Sequence, residues 1–195
     1  TGYVGKVCEG HDGDFLLQAL RSQGVDAEGV VVSEIGRCGT VIGFVDEKGD
    51  RALYLDPGVS NTLEFCEIKL DYVAVADILH LTSFAGNRPF EAQKKLVEAL
   101  PNVKVTLDPG MLYAQKGLTE LKPLVKRCLV AFPNEHELRL LTGEDHREGA
   151  EVLLAEGAQI VAVKLGKKGC YLTDGEESHL VTVSYTHLRA HETVL

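Results

Sequence analysis

The fold is indicated most directly by Cys128-Leu129-Val130-Ala131-Phe132-Pro133-Asn134-Glu135-His136-Glu137. The apolar run that ends at Phe132 predicts a buried strand, and Pro133 ends it because proline has no backbone N–H for a sheet. Asn134 to Glu137 then predicts the start of a helix. An amide and two carboxylates therefore lie where a strand of an α/β sheet ends, which is the edge where such sheets bind ligands.

Two interpretations of this corner are open. In the first, Asn134 and Glu137 form a capping box, in which each side chain accepts the other residue's backbone N–H. In the second, the corner binds phosphate or a metal ion, because helix N-termini attract anions and carboxylates bind Mg²⁺. Taken alone, these residues favour the capping box, so neighbouring stretches must carry the functional argument.

The composition is that of an ordinary globular protein, with 45% hydrophobic and 25% charged residues among 195. A formal net charge of −9 argues against broad binding to nucleic acids or membranes, although local lysines can still hold a small phosphorylated ligand. The five cysteines are scattered, without a C-x-x-C pair. This spacing predicts reduced thiols in a cytoplasmic protein, without zinc or a disulfide framework.

The order of apolar runs predicts two kinds of structure. Residues 30 to 55 contain three short β runs without a helix, which predicts an antiparallel sheet with a hairpin turn at Asp46–Asp50. After Leu70, strands alternate with helices, which predicts βαβ units on a parallel sheet. The predicted strands of that region are Ile78–Leu81, Val103–Leu107, Cys128–Phe132 and Ile160–Leu165. The predicted helices there are Pro89–Leu100, Leu118–Lys126, Glu135–Leu141 and Glu148–Glu156.

Polar or glycine-bearing residues follow three more of these strands. Gly166-Lys167-Lys168-Gly169 suits a nucleotide phosphate, or else a plain glycine hairpin with solvated lysines. Asp108 either contributes a carboxylate to a ligand site at the sheet edge or only begins a turn. Ser83 follows Ile78–Leu81, where polar residues are as often structural as ligand-binding. Four consecutive strand ends with such groups on one rim favour a binding site over chance.

These stretches together resemble the ribokinase-like carbohydrate kinases of the pfkB family. The match includes Val4-Gly5-Lys6-Val7, the segment Gly13–Gly24 and the lid-like strands Thr40–Leu55. It continues through Pro133–Glu137, which fits the family's N-x-x-E motif, and Val163–Gly169, which fits its nucleotide turn. The resemblance implies a three-layer α/β/α sandwich with a mainly parallel sheet and a small β-sheet lid.

The resemblance also implies phosphoryl transfer from ATP, or ADP in some relatives, to a hydroxyl of a sugar or nucleoside. By the same resemblance, Glu137 acts on Mg²⁺, while Ser83 and Asp108 lie near the acceptor. The lid closes over the acceptor and, in several relatives, also forms a dimer interface. The residues implied at the nucleotide are Asn134, Lys164, Gly166, Lys167 and Gly169.

The chain also departs from the family pattern. The G-G-x-x-x-N sugar segment would precede Thr1, and Cys8 stands where the family usually has glycine. The G-A-G-D motif, whose Asp takes the acceptor's proton, would follow His179, and no G-x-G-D stretch occurs in the sequence. We therefore expect residues 1–183 to be part of a kinase domain that is inactive alone, without its general base. A non-catalytic nucleotide- or sugar-binding module is the alternative.

The last segment, Ser184–Leu195, fits neither pattern and resembles translated sequencing-adapter DNA. His187 and His191 would share one face of a helix, but no third ligand or H-E-x-x-H pattern supports a metal site. We therefore expect this tail to be non-native and to have no functional role.

Overall fold

A computed structural model describes residues 1–47, 49 and 51–182. The chain divides between Val105 and Thr106 into two compact units. The described helices are α1 (His11–Ser22), α2 (Leu70–Ala74), α3 (Asn87–Ala99), α4 (Gly110–Ala114), α5 (Leu118–Val125), α6 (Glu135–Thr142) and α7 (Glu148–Ala155). The described strands are β1 (Gly5–Cys8), β2 (Val30–Ser33), β3 (Thr40–Val45), β4 (Arg51–Asp56), β5 (Ile78–Thr82), β6 (Lys104–Asp108), β7 (Cys128–Ala131), β8 (Ile160–Lys164), β9 (Cys170–Thr173) and β10 (Ser178–Val181).

The first unit begins with a β-α-β motif. Strand β2 pairs in parallel with β1, so that Gly5 lies opposite Val30 and Cys8 opposite Ser33. Helix α1 joins them and packs closely, because a Cβ on Gly13 would lie 1.7 Å from the Cys8 carbonyl oxygen. The prediction that all three β runs of residues 30–55 form one antiparallel sheet is therefore wrong. Helix α1 returns the chain to β1, whose edge satisfies the backbone groups of β2.

The predicted hairpin is confirmed. Strands β3 and β4 pair antiparallel from Thr40 opposite Asp56 to Val45 opposite Arg51. Because side chains alternate across a strand, the hairpin has two apolar faces. The first face carries Val41, Val45, Leu53 and Leu55, and the second carries Ile42, Phe44 and Tyr54, all of them at least 47% exposed. Phe44 and Tyr54 meet edge to face, with ring centroids 5.7 Å apart.

The rest of the first unit packs around short segments that the sequence patterns did not predict. One cluster joins Leu63, α2 and α3, and its buried members are Leu63, Ile68, Val73, Ala92 and Leu96. Another consists of Val7, Cys8, Cys38 and Val59. Segments such as α2 and the 3₁₀ turns Gly58–Thr62 and Phe65–Glu67 are shorter than the window in which helical periodicity can be recognised.

The second unit contains the sheet that carries the predicted rim. Its strands lie in the order β10-β9-β8-β7-β6. Strands β7 and β8 are parallel, whereas β9 is antiparallel to β8 and β10 is antiparallel to β9. The strands and helices predicted after Leu70 all lie within two residues of their observed bounds. Helix α4 was not predicted, and α/β class with a mainly parallel sheet is confirmed.

A continuous apolar core holds this sheet. Helices α6 and α7 pack on one another and on β8. Full burial of each leucine or valine side chain contributes roughly 1.5–3 kcal/mol to stability. Its deeply buried members include Leu121, Leu124, Leu138, Leu153, Val161 and Val163, each at most 1% exposed. This packing fixes the end of β8 against the start of α6.

Two predictions depend on residues at the end of the chain. The tail 184–195, with His187 and His191, and the predicted domain end at residue 183 lie outside the described residues. Among the helices that the structure describes, none combines the length and apolar character required to cross a membrane.

Candidate functional site

The corner between β7 and α6 is a complete capping box. The Asn134 side chain accepts the Glu137 N–H at 2.8 Å, and the Glu137 carboxylate accepts the Asn134 N–H at 2.8 Å. Asn134 is half-buried, while Glu137 is only 6% exposed. Helix α6 ends at Thr142 and is capped by Gly143, whose φ of 82° lies in the left-handed region. The capping interpretation of this corner is confirmed.

Backbone hydrogen bonds on both sides of Pro133 hold this corner at the sheet edge. The Phe132 N–H donates to the Leu107 oxygen at 2.7 Å, and the Lys164 N–H donates to the Pro133 oxygen at 2.9 Å. Asn134 and Lys164 also pair in parallel beyond the ends of β7 and β8. The N-terminus of α6 is thus fixed at the carboxyl ends of β6, β7 and β8, the edge predicted for the site.

An ion pair joins two of the predicted site residues. Lys164 Nζ lies 2.5 Å from Asp108 Oδ2, with the side chains 43% and 32% exposed. Asp108 Oδ1 also accepts the Gly110 N–H at 3.2 Å, so the aspartate has its turn role as well. At this exposure such a pair contributes about 1 kcal/mol or less to stability, and its main effect is to orient the ammonium group.

The glycine turn follows β8 directly. Gly166 and Gly169 have φ of 58° and 103°, a region that favours glycine. The Leu165 N–H donates to the Gly169 oxygen at 2.8 Å, which closes the turn. A Cβ on Gly169 would lie 1.9 Å from the Val181 oxygen, whereas within the described chain nothing lies within 4 Å of one on Gly166. Gly166 therefore leaves its backbone open to a ligand.

Two lysines lie in or next to the glycine turn. Lys167 is exposed beside the open backbone of Gly166, and Lys164 is the last residue of β8. Cys170 pairs with Lys164 across the antiparallel ladder. Burial raises the pKa of the Cys170 thiol, and the positive charge of Lys164 opposes that effect. A thiol must ionise to act as a nucleophile, so burial makes Cys170 a poorer nucleophile than an exposed cysteine.

The structure brings together most of the predicted residues. Those in the second unit and at this edge are Asp108, Asn134, Glu137, Lys164, Gly166, Lys167 and Gly169. Ser83 follows β5 in the first unit and is half-buried, so its role at the acceptor stays a prediction. The sequence analysis missed the ion pair, whose members are 56 positions apart. Opposite charges at two strand ends were its only sequence signal.

The donor chemistry of the corner is compatible with Mg²⁺. Glu137 offers a carboxylate, and its capping bond uses the Oε2 atom. Across residues 1–47, 49 and 51–182, no group of three or more His, Cys, Asp or Glu side chains could hold a metal. At phosphate sites Mg²⁺ keeps several waters and binds phosphate oxygens with one or two carboxylates. Glu137 fits that mode and does not form a cage of protein ligands.

Comparison with known proteins identifies the class. The family model for pfkB family carbohydrate kinases matches residues 1–186. An uncharacterized sugar kinase of Archaeoglobus fulgidus is 41% identical over 179 residues, covering 90% of this chain and 70% of that protein. The 2-dehydro-3-deoxygluconokinase of Bacillus subtilis is 30% identical over 191 residues, covering 89% of this chain but only 58% of that protein.

The solved structures agree on the fold. The ribokinase of Arabidopsis thaliana complexed with ribose and ATP superimposes with a TM-score of 0.77 at 23% identity, over 94% of this chain and 61% of that one. The ribokinase-like fold inferred from the motifs is therefore confirmed. The chain belongs to the pfkB family of carbohydrate kinases.

The capping geometry leads to a stability prediction. Asn134→Ala removes the acceptor for the Glu137 N–H, so the free energy of unfolding should fall by about 1 kcal/mol. Glu137→Gln keeps an acceptor for the Asn134 N–H and should change stability less. His136→Ala, at an exposed position of the same helical turn, is the matched control. Urea denaturation of the full chain measures all three, and equal stability of Asn134→Ala and wild type would contradict the geometry.

Proposed function

We propose that this chain is part of a cytoplasmic kinase that transfers a phosphoryl group from ATP or ADP to a hydroxyl of a sugar or nucleoside. The observation that carries the proposal is the corner at Asn134 and Glu137, held beside Lys164 and the glycine turn at one sheet edge. Membership of a family of carbohydrate kinases supports the reaction type. Free thiols at all five cysteines are consistent with the reducing cytoplasm.

Each of the residues at this edge has its own role in binding the nucleotide. The amide of Asn134 and the N-terminus of α6 face phosphate oxygens, and positive charge comes from Lys164 and Lys167. Gly166 lets the backbone approach the nucleotide, because nothing would lie within 4 Å of a Cβ there, whereas Gly169 shapes the turn by packing closely against Val181. In such reactions positioning and charge neutralisation supply most of the catalysis.

Glu137 is the proposed partner of Mg²⁺. Burial and the bond from the Asn134 N–H hold its carboxylate in one orientation, so the capping box and a metal role are compatible. Glu137 would then act on the ion through bound water. When bound, Mg²⁺ neutralises phosphate charge and aligns the transferred group.

Asp108 is proposed to have two roles. The family resemblance puts it, with Ser83, on the acceptor side. Its contact with Lys164 supports a further role, in which the aspartate orients the lysine toward the phosphates. Both roles suit a carboxylate at the junction of donor and acceptor, where charge must be balanced as the phosphoryl group moves.

We also propose that the chain by itself binds nucleotide without transferring phosphate. The observation is the sequence, which has no G-x-G-D stretch to supply the base. The whole protein would have the kinase activity. The alternative, a non-catalytic nucleotide- or sugar-binding module, predicts the same result for this chain but no phosphoryl transfer by any longer protein that contains it.

The nucleotide site is tested by binding. Lys164→Met removes a charge-assisted hydrogen bond worth roughly 1.5–3 kcal/mol, so ATP affinity should fall about 10- to 100-fold. Lys168→Met, in the turn that follows Lys164 and also exposed, is the matched control and should change affinity less than about twofold. Isothermal titration calorimetry on the full chain measures both. Equal effects of the two substitutions would remove Lys164 from the site.

The proposed role of Glu137 toward Mg²⁺ is tested by the same titrations with and without Mg²⁺. Glu137→Gln should leave the affinity for ATP alone unchanged, since the corner keeps its capping bonds. The gain in affinity on adding Mg²⁺ should shrink by about tenfold, because the charge that orients the hydrated ion is lost. A full Mg²⁺ effect in Glu137→Gln would contradict the assignment.

The activity proposal is tested by coupled detection of ADP release with ribose, fructose and nucleosides as acceptors. We expect no acceptor-dependent release from the present chain and measurable release from a longer protein in which this chain is joined to a G-A-G-D segment. Acceptor-dependent turnover by the present chain would show that a G-x-G-D aspartate is dispensable. No turnover by the longer protein, with nucleotide binding intact, would favour the binding-module alternative.

We further propose that the hairpin of β3 and β4 forms a homodimer interface. A lid over a sugar needs one apolar face, whereas this hairpin exposes two. The second face would be covered by a second copy, since exposed apolar area of this kind marks association sites. Phe44 on one face and Leu53 on the other provide a matched pair for testing.

Light scattering measures this association. We expect the wild-type protein to be a dimer. Of the two substitutions Phe44→Ser and Leu53→Ser, one should shift the mass toward monomer and the other should leave it unchanged. The substitution without effect on mass marks the face that closes over the acceptor. A monomeric wild type at all accessible concentrations would contradict the dimer.

A further inference from the structure

Two cysteines of the first unit lie in direct contact. Cys8 is the last residue of β1, and Cys38 lies two residues before β3, 30 positions later. The Cys8 N–H donates to Cys38 Sγ at 3.0 Å. Both residues are 6% exposed, in a cluster with Val7 and Val59. Burial, together with a hydrogen bond from the Cys38 thiol to the Cys8 side chain, raises the pKa of the Cys38 thiol.

The contact joins separate parts of the unit. Cys8 follows a strand of the parallel β1–β2 pair, whereas Cys38 lies at the base of the hairpin. The other cysteines, Cys66, Cys128 and Cys170, lie elsewhere in the chain.

The base of the hairpin is itself tightly constrained. The Val59 N–H donates to the Arg37 oxygen at 2.9 Å, which joins the segments before β3 and after β4. A Cβ on Gly58 would lie 2.3 Å from the same oxygen, so the two segments are in close backbone contact. A covalent bond at Cys38 would therefore hold both ends of the hairpin to the end of β1.

We propose that Cys8 and Cys38 are a thiol modification site, at which a small-molecule disulfide such as oxidised glutathione forms a reversible Cys8–Cys38 disulfide. One thiolate attacks the small disulfide, forms a mixed disulfide and releases one small thiolate. The second cysteine thiolate then attacks the protein sulfur and releases the other. The two cysteine protons pass to the two leaving thiolates, so the protein loses two electrons and the small disulfide gains them.

The reaction depends on proximity and on access. Cys38 Sγ already lies 3.0 Å from the backbone nitrogen of Cys8, so the second step requires no large backbone movement, which is the main geometric demand on a disulfide. Burial keeps both sulfurs from the reagent until the hairpin base opens, so the reaction is slow and the reduced form persists in a reducing cell. This site is independent of the proposed phosphoryl transfer.

Peptide mapping tests the proposal directly. The reduced full chain is incubated with oxidised glutathione at about pH 8.5, where more thiolate is present, then alkylated and digested with trypsin. Trypsin cuts at Arg21 and Arg37, which separates the two cysteines. We expect a linked peptide that contains Cys8 and Cys38 and is fully released by dithiothreitol.

Two serine variants are matched controls. Cys38→Ser should abolish the linked peptide, whereas Cys66→Ser, which removes an exposed thiol, should leave it unchanged. Glutathione adducts without the Cys8–Cys38 link, or linkage of either residue to another cysteine, would overturn the proposal. If Cys38→Ser does not fold, the wild-type map alone decides the outcome.

Hydrogen exchange tests the coupling to the hairpin. Amides of residues 37 to 40 should exchange several-fold more slowly in the oxidised chain than in the reduced chain, because the bond restricts opening of the hairpin base. Unchanged or faster exchange at these amides would show that the disulfide does not restrict the hairpin base, even if the disulfide forms.

Discussion

The candidate site depends on the hydrogen bond from the Lys164 N–H to the Pro133 oxygen. Pro133 has no N–H, so its carbonyl is the group through which this residue remains joined to the neighbouring strand. That bond sets Asn134 beside Lys164 and so brings the N-terminus of α6 to the end of β8. The lysine in turn contacts Asp108 at the end of β6. Three strand ends thereby become one polar edge.

The capping box and the proposed ligand role reinforce one another. A catalytic or binding group must be held in one orientation, and the reciprocal bonds between Asn134 and Glu137 achieve this without a ligand. The same bonds satisfy N–H groups that helix α6 would otherwise leave free. A structural explanation for these residues is therefore no argument against a functional one. It explains how a buried carboxylate is tolerated at this edge.

Local patterns were sufficient for most of the elements. The apolar runs and helical stripes after Leu70 predicted strands and helices to within two residues, because each was long enough to show its period. The pairing of β2 with β1 was missed, since adjacency in the chain suggested the hairpin strands as partners. The Lys164–Asp108 and Cys8–Cys38 contacts were missed for a related reason, because each joins residues far apart in the chain.

The sequence by itself determined the α/β class, the family and the residue types at the strand ends, because periodicity, glycine and proline positions and short motifs are local properties. Only the tertiary structure decided which of those residues meet. Contacts between distant segments follow from sheet order and core packing, which place Lys164 against Asp108 and leave Ser83 in the other unit. The same packing set Cys8 against Cys38, a contact that no local pattern encodes.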